Sequence, residues 1–407
     1  MAPDGTYVDI DLPLDIILNI ISRLPVNIII RCKFLSKDFV NLIGDPRFET
    51  IYQSNKANDY FYCLFVNESK PIFSLDLVQF PKDVYDNNKN RNYKISRRLS
   101  CFNSNRLPQG TDFHKFSIFG YCNGLFCLLK IESGLFNLFV INPILGEFIQ
   151  LPLPVRCDLT KMFYMSYGLG YCQFTNKFKV LRIFSSFSQV SFLPNICQIF
   201  TIGSDQNWRA VKDHNVPYNF EYEHKSINPQ TDMVAFGSAL HWIVQPVTMG
   251  DGITAKPSWG GTRYICAFDM TDERVSALPF PPEVAPHVFY GQVIILLDKL
   301  CLWRYIPNGE IIDLWVMNEY GVEGSWSKQF IFKMSSLPKD IHKRRFKPVM
   351  PVTISPGGLL VATDCHKLMF YDLKKKKLLK VIHQTDHVSY PIPFVPNFVS
   401  PKTLLSD

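Results

Sequence analysis

The histidines are the first residues in this sequence whose spacing could support chemistry. His383 and His387 stand four residues apart, the spacing that two metal ligands share on one face of a helix. The residues between them, Gln384-Thr385-Asp386, favour a loop, where this spacing does not align two side chains. His241 stands beside Trp242 in a strand-like run, where a satisfied histidine is far commoner than a ligand. We therefore predict no metal site.

The eleven cysteines predict neither disulfides nor a zinc site. Their number is odd, no C-x-x-C occurs, and the nearest pair is Cys122 and Cys127. Free cysteine inside an apolar run behaves as a small buried hydrophobe. Five cysteines lie in such runs: Cys127, Cys172, Cys197, Cys266 and Cys301. We expect reduced thiols in the core.

The signatures of common enzyme sites are absent from the sequence. It contains no G-x-S-x-G, no H-E-x-x-H and no G-x-x-x-x-G-K-[ST]. Gly168-Leu169-Gly170 lacks the third glycine of a dinucleotide loop and lies between strand-like runs, which predicts a turn. We therefore predict no catalytic residues, no cofactor and a protein that is not an enzyme.

The charge pattern disfavours nucleic acid and membranes as partners. The net charge is +7, but residues 1–50 hold five Lys and Arg against seven Asp and Glu, which leaves +9 for the remainder. The basic clusters Lys343-Arg344-Arg345 and Lys374 to Lys377 lack the interleaved aromatics of a nucleic-acid surface, and the second predicts a solvated hairpin turn. No secretory signal and no run near the ~20 apolar residues of a membrane helix occur. We expect the protein in the cytoplasm, the nucleus or both.

The elements that must position any site begin with the apolar stretch from Ile10 to Phe48. Five residues follow the spacing of one helical face: Leu14, Ile17, Leu18, Ile21 and Leu24. Ile16 and Ile20 are four apart and lie on a second face. Because about 40 residues are too few to cover both faces, the second face predicts a binding partner.

Proline and glycine divide this stretch into three short helices. Pro13 suits the first helical position, and Pro25 ends the first helix after Leu24. A third helix is predicted from Leu35 to Gly44. The middle piece is ambiguous, because Ile28 to Ile30 alone would favour a strand.

The same stretch resembles the F-box of the large plant F-box family. The matching motifs are Leu12-Pro13, Ile20, Arg23-Leu24-Pro25-Val26, Arg31-Cys32-Lys33 and Ser36-Lys37. Phe39 stands where the family usually has tryptophan. The resemblance implies binding to a Skp-type adaptor and, through it, to a cullin. The residues expected on that interface are Leu12, Pro13, Ile16, Ile17, Ile20, Leu24 and Pro25. The alternative is a helical cap folded onto the rest of the chain.

An internal repeat predicts the architecture of the remaining chain, whose short alternating runs are typical of all-β proteins. Three hairpin-like segments align on a polar residue: Asn142, Asp269 and Asp372. Nine residues on, each has an aliphatic residue: Leu151, Leu278 and Val381. A second kind of hairpin leads to Trp208 and Trp326, 118 residues apart. This spacing fits two kelch-sized repeats of ~50 residues with insertions.

Repeats of four short strands favour a kelch-like β-propeller, with room for about six blades after residue 60. A two-sheet β-sandwich is the alternative. Four motifs resemble the F-box-associated domain of plant F-box proteins: Gly120 to Leu125, Val140 to Pro143, Gly168 to Tyr171 and Ala239 to Trp242.

The predicted organisation has four parts. Residues 1–50 form a small all-α, three-helix F-box, and 51–115 form a connector, polar at 51–59, with the first β segments and a polar loop. Residues 116–390 form the large all-β domain that binds the target, and 391–407 form a C-terminal tail.

The function implied by the resemblance is substrate recognition for a cullin–RING ubiquitin ligase of the SCF type, tethering an unknown target protein. The alternatives are a kelch-type propeller enzyme, or a carbohydrate- or nucleic-acid-binding propeller with a helical cap.

Residues 246–261 are an insertion relative to the other hairpin copies, and Gly and Pro predict a surface loop there. Its Met249 and Trp259 are the candidate target-binding residues.

Overall fold

The computed structural model describes the chain in segments, and every structural statement below concerns these residues: 12–55, 60–67, 74–81, 99–103, 107, 116–132, 135–153, 163–186, 196–211, 216, 233–244, 263–282, 284, 290–306, 310–333, 350–355, 358–363, 367–372, 375, 377–384 and 389–405. No helix among them is long and apolar enough to span a bilayer.

Four helices precede the strands: α1 Leu14–Ser22, α2 Val26–Cys32, α3 Lys37–Gly44 and α4 Pro46–Asn55. The strands up to the middle of the chain are β1 Tyr60–Asn67, β2 Ser74–Pro81, β3 Leu99–Asn103, β4 Phe116–Cys122, β5 Leu125–Glu132, β6 Leu135–Asn142, β7 Glu147–Gln150, β8 Phe163–Cys172, β9 Lys177–Ser186, β10 Ile196–Thr201, β11 Arg209–Ala210 and β12 Val234–Phe236. The others are β13 Ala239–Val244, β14 Tyr264–Asp269, β15 Val275–Leu278, β16 Tyr290–Leu296, β17 Lys299–Ile306, β18 Ile311–Met317, β19 Trp326–Lys333, β20 Met350–Ser355, β21 Gly358–Thr363, β22 Lys367–Asp372, β23 Lys377–Gln384 and β24 Ser389–Phe394.

Two prolines start the first two helices in the same way. Pro13 and Pro25 each lie just before the first helical residue, with φ near −55° and ψ near 140°. The first helix therefore begins at Leu14, one residue later than the prediction that placed Pro13 at its first position. Their carbonyls accept the first intrahelical bonds, such as Ile16 N to Pro13 O at 2.9 Å and Ile28 N to Pro25 O at 2.8 Å. The middle piece is a helix despite its β-branched run, because Ile29 and Ile30 are buried there and tertiary packing outweighs propensity.

The third and fourth helices differ from the prediction at their starts. α3 begins at Lys37, where the Ser36 hydroxyl caps it by accepting from Phe39 N at 3.3 Å. α4 occupies residues 46–55, so part of the predicted polar connector 51–59 is helical. Its buried face contains only Phe48 and Tyr52, which is too sparse a pattern to indicate a helix from sequence.

The strands form six antiparallel four-stranded sheets in the described part of the chain. Five are consecutive meanders: β4 to β7, β8 to β11, β12 to β15, β16 to β19 and β20 to β23. The sixth has the order β24-β1-β2-β3, so that the last strand pairs with the first, Tyr62 opposite Phe394. Residues 391–394, predicted to lie in a C-terminal tail, therefore belong to the strand that completes the first sheet. Tyr60–Asn67 and Ser74–Pro81 belong to the same sheet, in the part of the chain where the first β segments are predicted.

The hydrophobic core confirms a closed β-propeller rather than the β-sandwich alternative. One apolar cluster lies between each pair of neighbouring sheets: for example, Trp242 and Leu181 join the sheets of β13 and β9, and Cys63 and Leu368 join the first sheet to that of β22. The other sheet pairs have corresponding clusters. Because this series of clusters returns to its starting sheet, the ring has no open edge between blades.

The aligned polar residues of the repeat end the third strand of alternate sheets and cap the following turn. Asn142 Oδ1 accepts from Ile144 N at 2.9 Å and Asp269 Oδ1 from Thr271 N. Asp372 Oδ1 accepts from Lys375 N at 2.8 Å. The three residues thus make the same side-chain turn, which stabilises each hairpin locally. The last of these hairpins is the one predicted at Lys374 to Lys377, with β22 and β23 paired across it.

The repeated tryptophans alternate with these hairpins. Trp208 directly precedes β11 and Trp326 begins β19, in the sheets that follow those of Asn142 and Asp269. Each donates its indole N–H to the carbonyl of a proline that lies just after the last strand of the preceding sheet. The distances are 2.8 Å to Pro152 O and 3.0 Å to Pro279 O. Each indole also packs in one apolar cluster with Leu151 or Leu278. The spacing of about 120 residues therefore corresponds to a pair of blades joined by one such contact.

One glycine motif lies in a strand rather than in the predicted turn. Gly168-Leu169-Gly170 belongs to β8, the first strand of its sheet. A Cβ at Gly168 would lie 2.6 Å from Leu240 Cδ1 and 2.9 Å from Met233 Sδ. A side chain here would force Leu240 and Met233 of the next blade to shift, so the close approach of that blade accounts for the glycine.

Candidate functional site

Helix α1 has one buried and one exposed apolar face. Leu18 and Ile21 are buried in the cluster that the helices share with the first two sheets, and Ile17 packs against it. Ile16 and Ile20 point away from this cluster and are 46% and 53% exposed. The spacing thus separated the two faces as predicted, except that Leu14, predicted on the inner face, is also exposed.

The structure divides the seven predicted interface residues into two groups. Leu12, Pro13, Ile16, Ile20 and Pro25 are exposed. Ile17 and Leu24 are half-buried and pack against the core. A partner could therefore contact the first five directly, whereas Ile17 and Leu24 chiefly fix the helix on the body of the protein.

Sequence reasoning missed a second part of the exposed apolar surface. Phe34 and Leu35, in the turn between α2 and α3, are 72% and 71% exposed, and Val40 on α3 is also exposed. Exposed large apolar residues are concentrated in this part of the chain, since seven of the sixteen found among the described residues lie between positions 12 and 40. Such a concentration indicates a protein interface. The available signal was two large apolar residues placed directly before a helix-capping serine.

Polar side chains surround the exposed face of α1. Arg23 Nε donates to Asn19 Oδ1 at 2.8 Å. Arg47 of α4 lies 3.0 Å from Asp15 of α1 and 2.8 Å from Asp45. The hydrogen bond from Arg47 keeps the pKa of Asp45 below its usual value. An apolar centre with a charged and polar rim is the usual composition of a protein–protein interface.

Among the described residues, the histidines lie in strands. His241 is fully buried, and its Nε2 lies 2.7 Å from the Tyr320 hydroxyl. Burial lowers the pKa of His241 to about 4, so the ring is neutral at neutral pH. His383 lies in β23, not in a loop, and His387 is outside the described residues.

The cysteines agree with the prediction of reduced core thiols wherever the structure describes them. Eight are free and buried. Burial raises the pKa of Cys122 and Cys301 to about 12, so neither is a thiolate at neutral pH. No group of three or more His, Cys, Asp or Glu that could hold a metal is found among the described residues.

The predicted target loop, with Met249 and Trp259, lies outside the described residues, but its attachment points are described. It connects Val244 at the end of β13 to Tyr264 at the start of β14, two residues that pair with each other. The opposite ends of these strands, Ala239 and Asp269, also pair. In the sheet of β4 to β7, the corresponding end of the third strand, at Asn142, leads into a turn that meets the helices, since Lys33 Nζ donates to Ile144 O at 3.3 Å. Val244 and Tyr264, which flank this segment, therefore lie at the propeller face away from the helices.

Comparisons with known proteins agree with both parts of this architecture. Residues 72–400 match the F-box associated beta propeller domain, and residues 10–50 match the F-box domain. Two relatives from Arabidopsis thaliana are F-box protein CPR1, 25% identical over 90% of this chain and 83% of the relative, and F-box protein At3g07870, 24% identical over 87% and 80%. Among solved structures, TolB from Acinetobacter baumannii gives a TM-score of 0.41 at 10% identity, covering 85% of this chain and 70% of that chain.

Proposed function

Because this chain belongs to the family of F-box proteins with an F-box associated β-propeller domain, we propose that it is the substrate-recognition subunit of an SCF-type cullin–RING ubiquitin ligase. The observation that carries the proposal is the exposed face of α1. Ile16 and Ile20 remain in solvent although the other face of the same helix is buried in the body of the protein. Leaving this much apolar surface exposed is costly unless a partner covers it.

In this role the chain itself makes and breaks no covalent bond. The helices would bind a Skp-type adaptor and, through it, a cullin, while the propeller would bind the target. Joining the two raises the effective concentration of the target's lysines near a charged ubiquitin-conjugating enzyme. We place this activity in the cytoplasm, the nucleus or both. The kelch-like class of the blades stays a prediction, supported by the paired recurrence of hairpins.

The adaptor proposal is tested by charging the exposed face of α1. Ile16→Asp with Ile20→Asp should weaken binding of purified Skp-type adaptor at least 100-fold, because two apolar contacts at the interface centre become buried charges. Calorimetry with the full chain measures this affinity. The melting temperature should change little, since both residues are already exposed.

A matched control replaces two isoleucines of similar exposure on the propeller. Ile196 and Ile331 are 52% and 48% exposed, so Ile196→Asp with Ile331→Asp adds the same charge away from the helices. This variant should bind the adaptor as the unmodified chain does. Equal adaptor affinity in both double variants would refute an F-box role for α1.

For the target we propose the loop between β13 and β14, with Met249 and Trp259 as contact residues. Its attachment to the face away from the helices would keep a bound target clear of the adaptor. Met249→Ala with Trp259→Ala should reduce the set of proteins labelled in cells by a proximity-labelling fusion, with adaptor binding and thermal stability unchanged. Phe174→Ala, an exposed aromatic residue in the turn between β8 and β9, is the control. A lower melting temperature with the same labelled proteins would show that the loop is structural.

A further inference from the structure

The residues after β24 continue past the closed ring and pack across two neighbouring blades. We call residues 395–405 the C-terminal clamp. Val395 N donates to the Tyr121 hydroxyl at 2.8 Å, and Asn397 Nδ2 donates to Asn123 O at 2.6 Å. The Ser400 hydroxyl donates to Glu147 Oε2. These three partners lie on or next to β4 and β7, so the clamp is bonded across the sheet of β4 to β7.

The same segment is bonded to the helices. Phe398 is buried, and its ring meets Phe48 at 5.0 Å and Tyr52 at 4.8 Å between centroids, both nearly edge to face. Its backbone N–H donates to Glu49 Oε2. All three partners belong to α4. One residue of the clamp thus contacts the helices through both its ring and its backbone, while its neighbours are bonded to the propeller.

The propeller carries features that fit the clamp. Gly203 has φ of +75°, and a Cβ there would lie 2.0 Å from Leu404 O, so only glycine allows the clamp to lie against this turn. Leu404 also packs on the cluster between the sheets of β4 and β8.

The repeat provides an independent sign that the clamp site is specific. Asn142 uses Oδ1 for its own turn, as Asp269 does, but its Nδ2 donates to Asn397 O at 3.0 Å and to Val399 O at 2.9 Å. A carboxylate has no N–H to donate. Of the three aligned copies, the one that meets the clamp has an amide, whereas the other two have Asp.

We propose that the C-terminal clamp holds the F-box helices in one orientation on the propeller. If the proposed ligase function is also correct, the clamp sets the direction from the adaptor to the bound target and so decides which lysines are reached. The clamp follows directly from the strand that closes the ring. Closure of the propeller and orientation of the helices therefore depend on one continuous stretch of chain.

The test measures the orientation itself in the full-length chain, without adaptor or target. Spin labels are introduced as non-canonical amino acids at two exposed positions, Thr50 on α4 and Gln329 on β19, and pulsed electron resonance gives their distance distribution. The unmodified chain should show one narrow distribution. Phe398→Ala, which removes the ring between α4 and the propeller, should broaden it at least twofold.

Asn142→Asp provides a milder variant with an equivalent control. It keeps the turn acceptor but removes both amide bonds to the clamp, so it should also broaden the distribution. Asp269→Asn changes the aligned residue of another blade and should leave it narrow. If Phe398→Ala does not fold, Asn142→Asp still decides the question, and an unchanged narrow distribution in it would overturn the proposal.

A second readout connects the clamp to function. In a reconstituted ligase, the lysines of this chain that become modified are identified by mass spectrometry. The clamp variants should bind the adaptor normally but spread modification over at least twice as many lysines. If the adaptor binds neither the unmodified chain nor the variants, the proposed function fails, while the distance measurement still tests the clamp.

Discussion

The junction between the helices and the first two sheets differs from the far side of the ring in how it is held together. At the junction, Phe48 and Tyr52 of α4 pack against Phe398 from the end of the chain. On the far side, the stabilising contacts lie within one blade or between consecutive blades. Trp326 donates to Pro279 O of the preceding blade, and the buried pair of Arg304 and Asp313, with an Nε–Oδ1 distance of 2.9 Å, lies within one blade. The contacts at the junction therefore join segments that are distant in sequence and occur once, whereas those on the far side join neighbouring segments and recur.

This difference predicts where the molecule is sensitive to mutation. A repeated hairpin makes its own bonds, so damage to one copy leaves the others intact, as in other repeat proteins. The junction has no second copy, and its apolar cluster includes residues of the helices and of both adjoining sheets. Loss of one large side chain there should affect both the helices and ring closure.

The largest effect is expected at the junction. Phe48 is fully buried between Tyr52 and Phe398, and Phe48→Ala should lower the free energy of unfolding by about 3 to 5 kcal/mol through lost transfer energy and a cavity. Urea denaturation followed by tryptophan fluorescence measures this change. Phe174→Ala, at an 85% exposed residue, should change it by less than about 0.5 kcal/mol. Similar losses of unfolding free energy in the two variants would mean that the junction is no more sensitive to mutation than an exposed turn.

A smaller effect, dependent on pH, is expected between the sheets of β12 to β15 and β16 to β19. Burial lowers the pKa of His241 to about 4 from an ordinary value of 6.5, so the unfolded chain binds this proton more tightly than the folded one. Stability should therefore be fully present above pH 6.5 and should fall as the pH drops towards 4. Between pH 7.5 and 5 the loss from this residue should be about 2 kcal/mol.

His241→Gln isolates this contribution. Glutamine can keep a hydrogen bond to the Tyr320 hydroxyl but has no proton to gain in this range. The variant should lose less stability than the unmodified chain between pH 7.5 and 5, measured by urea denaturation at both pH values. The same loss in both proteins would show that other groups cause the acid sensitivity.

The same contrast explains what the sequence could predict. Spacing predicts the hairpins on Asn142 and Asp269 and the tryptophans at 208 and 326, because each is a local pattern that recurs. The helix α4 and the docking of Phe398 leave no such signal, since Phe398 meets residues about 350 positions away and long-range packing has no period in sequence. The segment was therefore predicted to be a tail.

The candidate interface was predictable to the same extent. Ile16 and Ile20 follow from helical spacing, because it places them on a second apolar face that so short a domain cannot cover by itself. Phe34 and Leu35 lie in a turn, where no periodicity separates an exposed side from a buried one. Leu14 matched the spacing of the buried face, yet it is exposed, because it is the first residue of α1 and lies at the end of that face.

The smallest effect is expected at the repeated hydrogen bonds from Trp208 and Trp326 to proline carbonyls. Trp208→Phe and Trp326→Phe each remove one indole N–H and leave a proline carbonyl without that donor, while most of the ring packing is kept. Both proline residues are half-buried, so water can partly replace the bond, and each variant should lose about 1 to 2 kcal/mol of unfolding free energy. Because the two contacts are copies, the losses should agree within about 0.5 kcal/mol. Because the two tryptophans belong to sheets that are separated by the sheet of β12 to β15 and have different partners, the double variant should lose the sum of the two. Urea denaturation of the two single variants and the double variant checks both points. Unequal losses, or a double variant much worse than the sum, would mean that the blades do not act as equivalent repeated units.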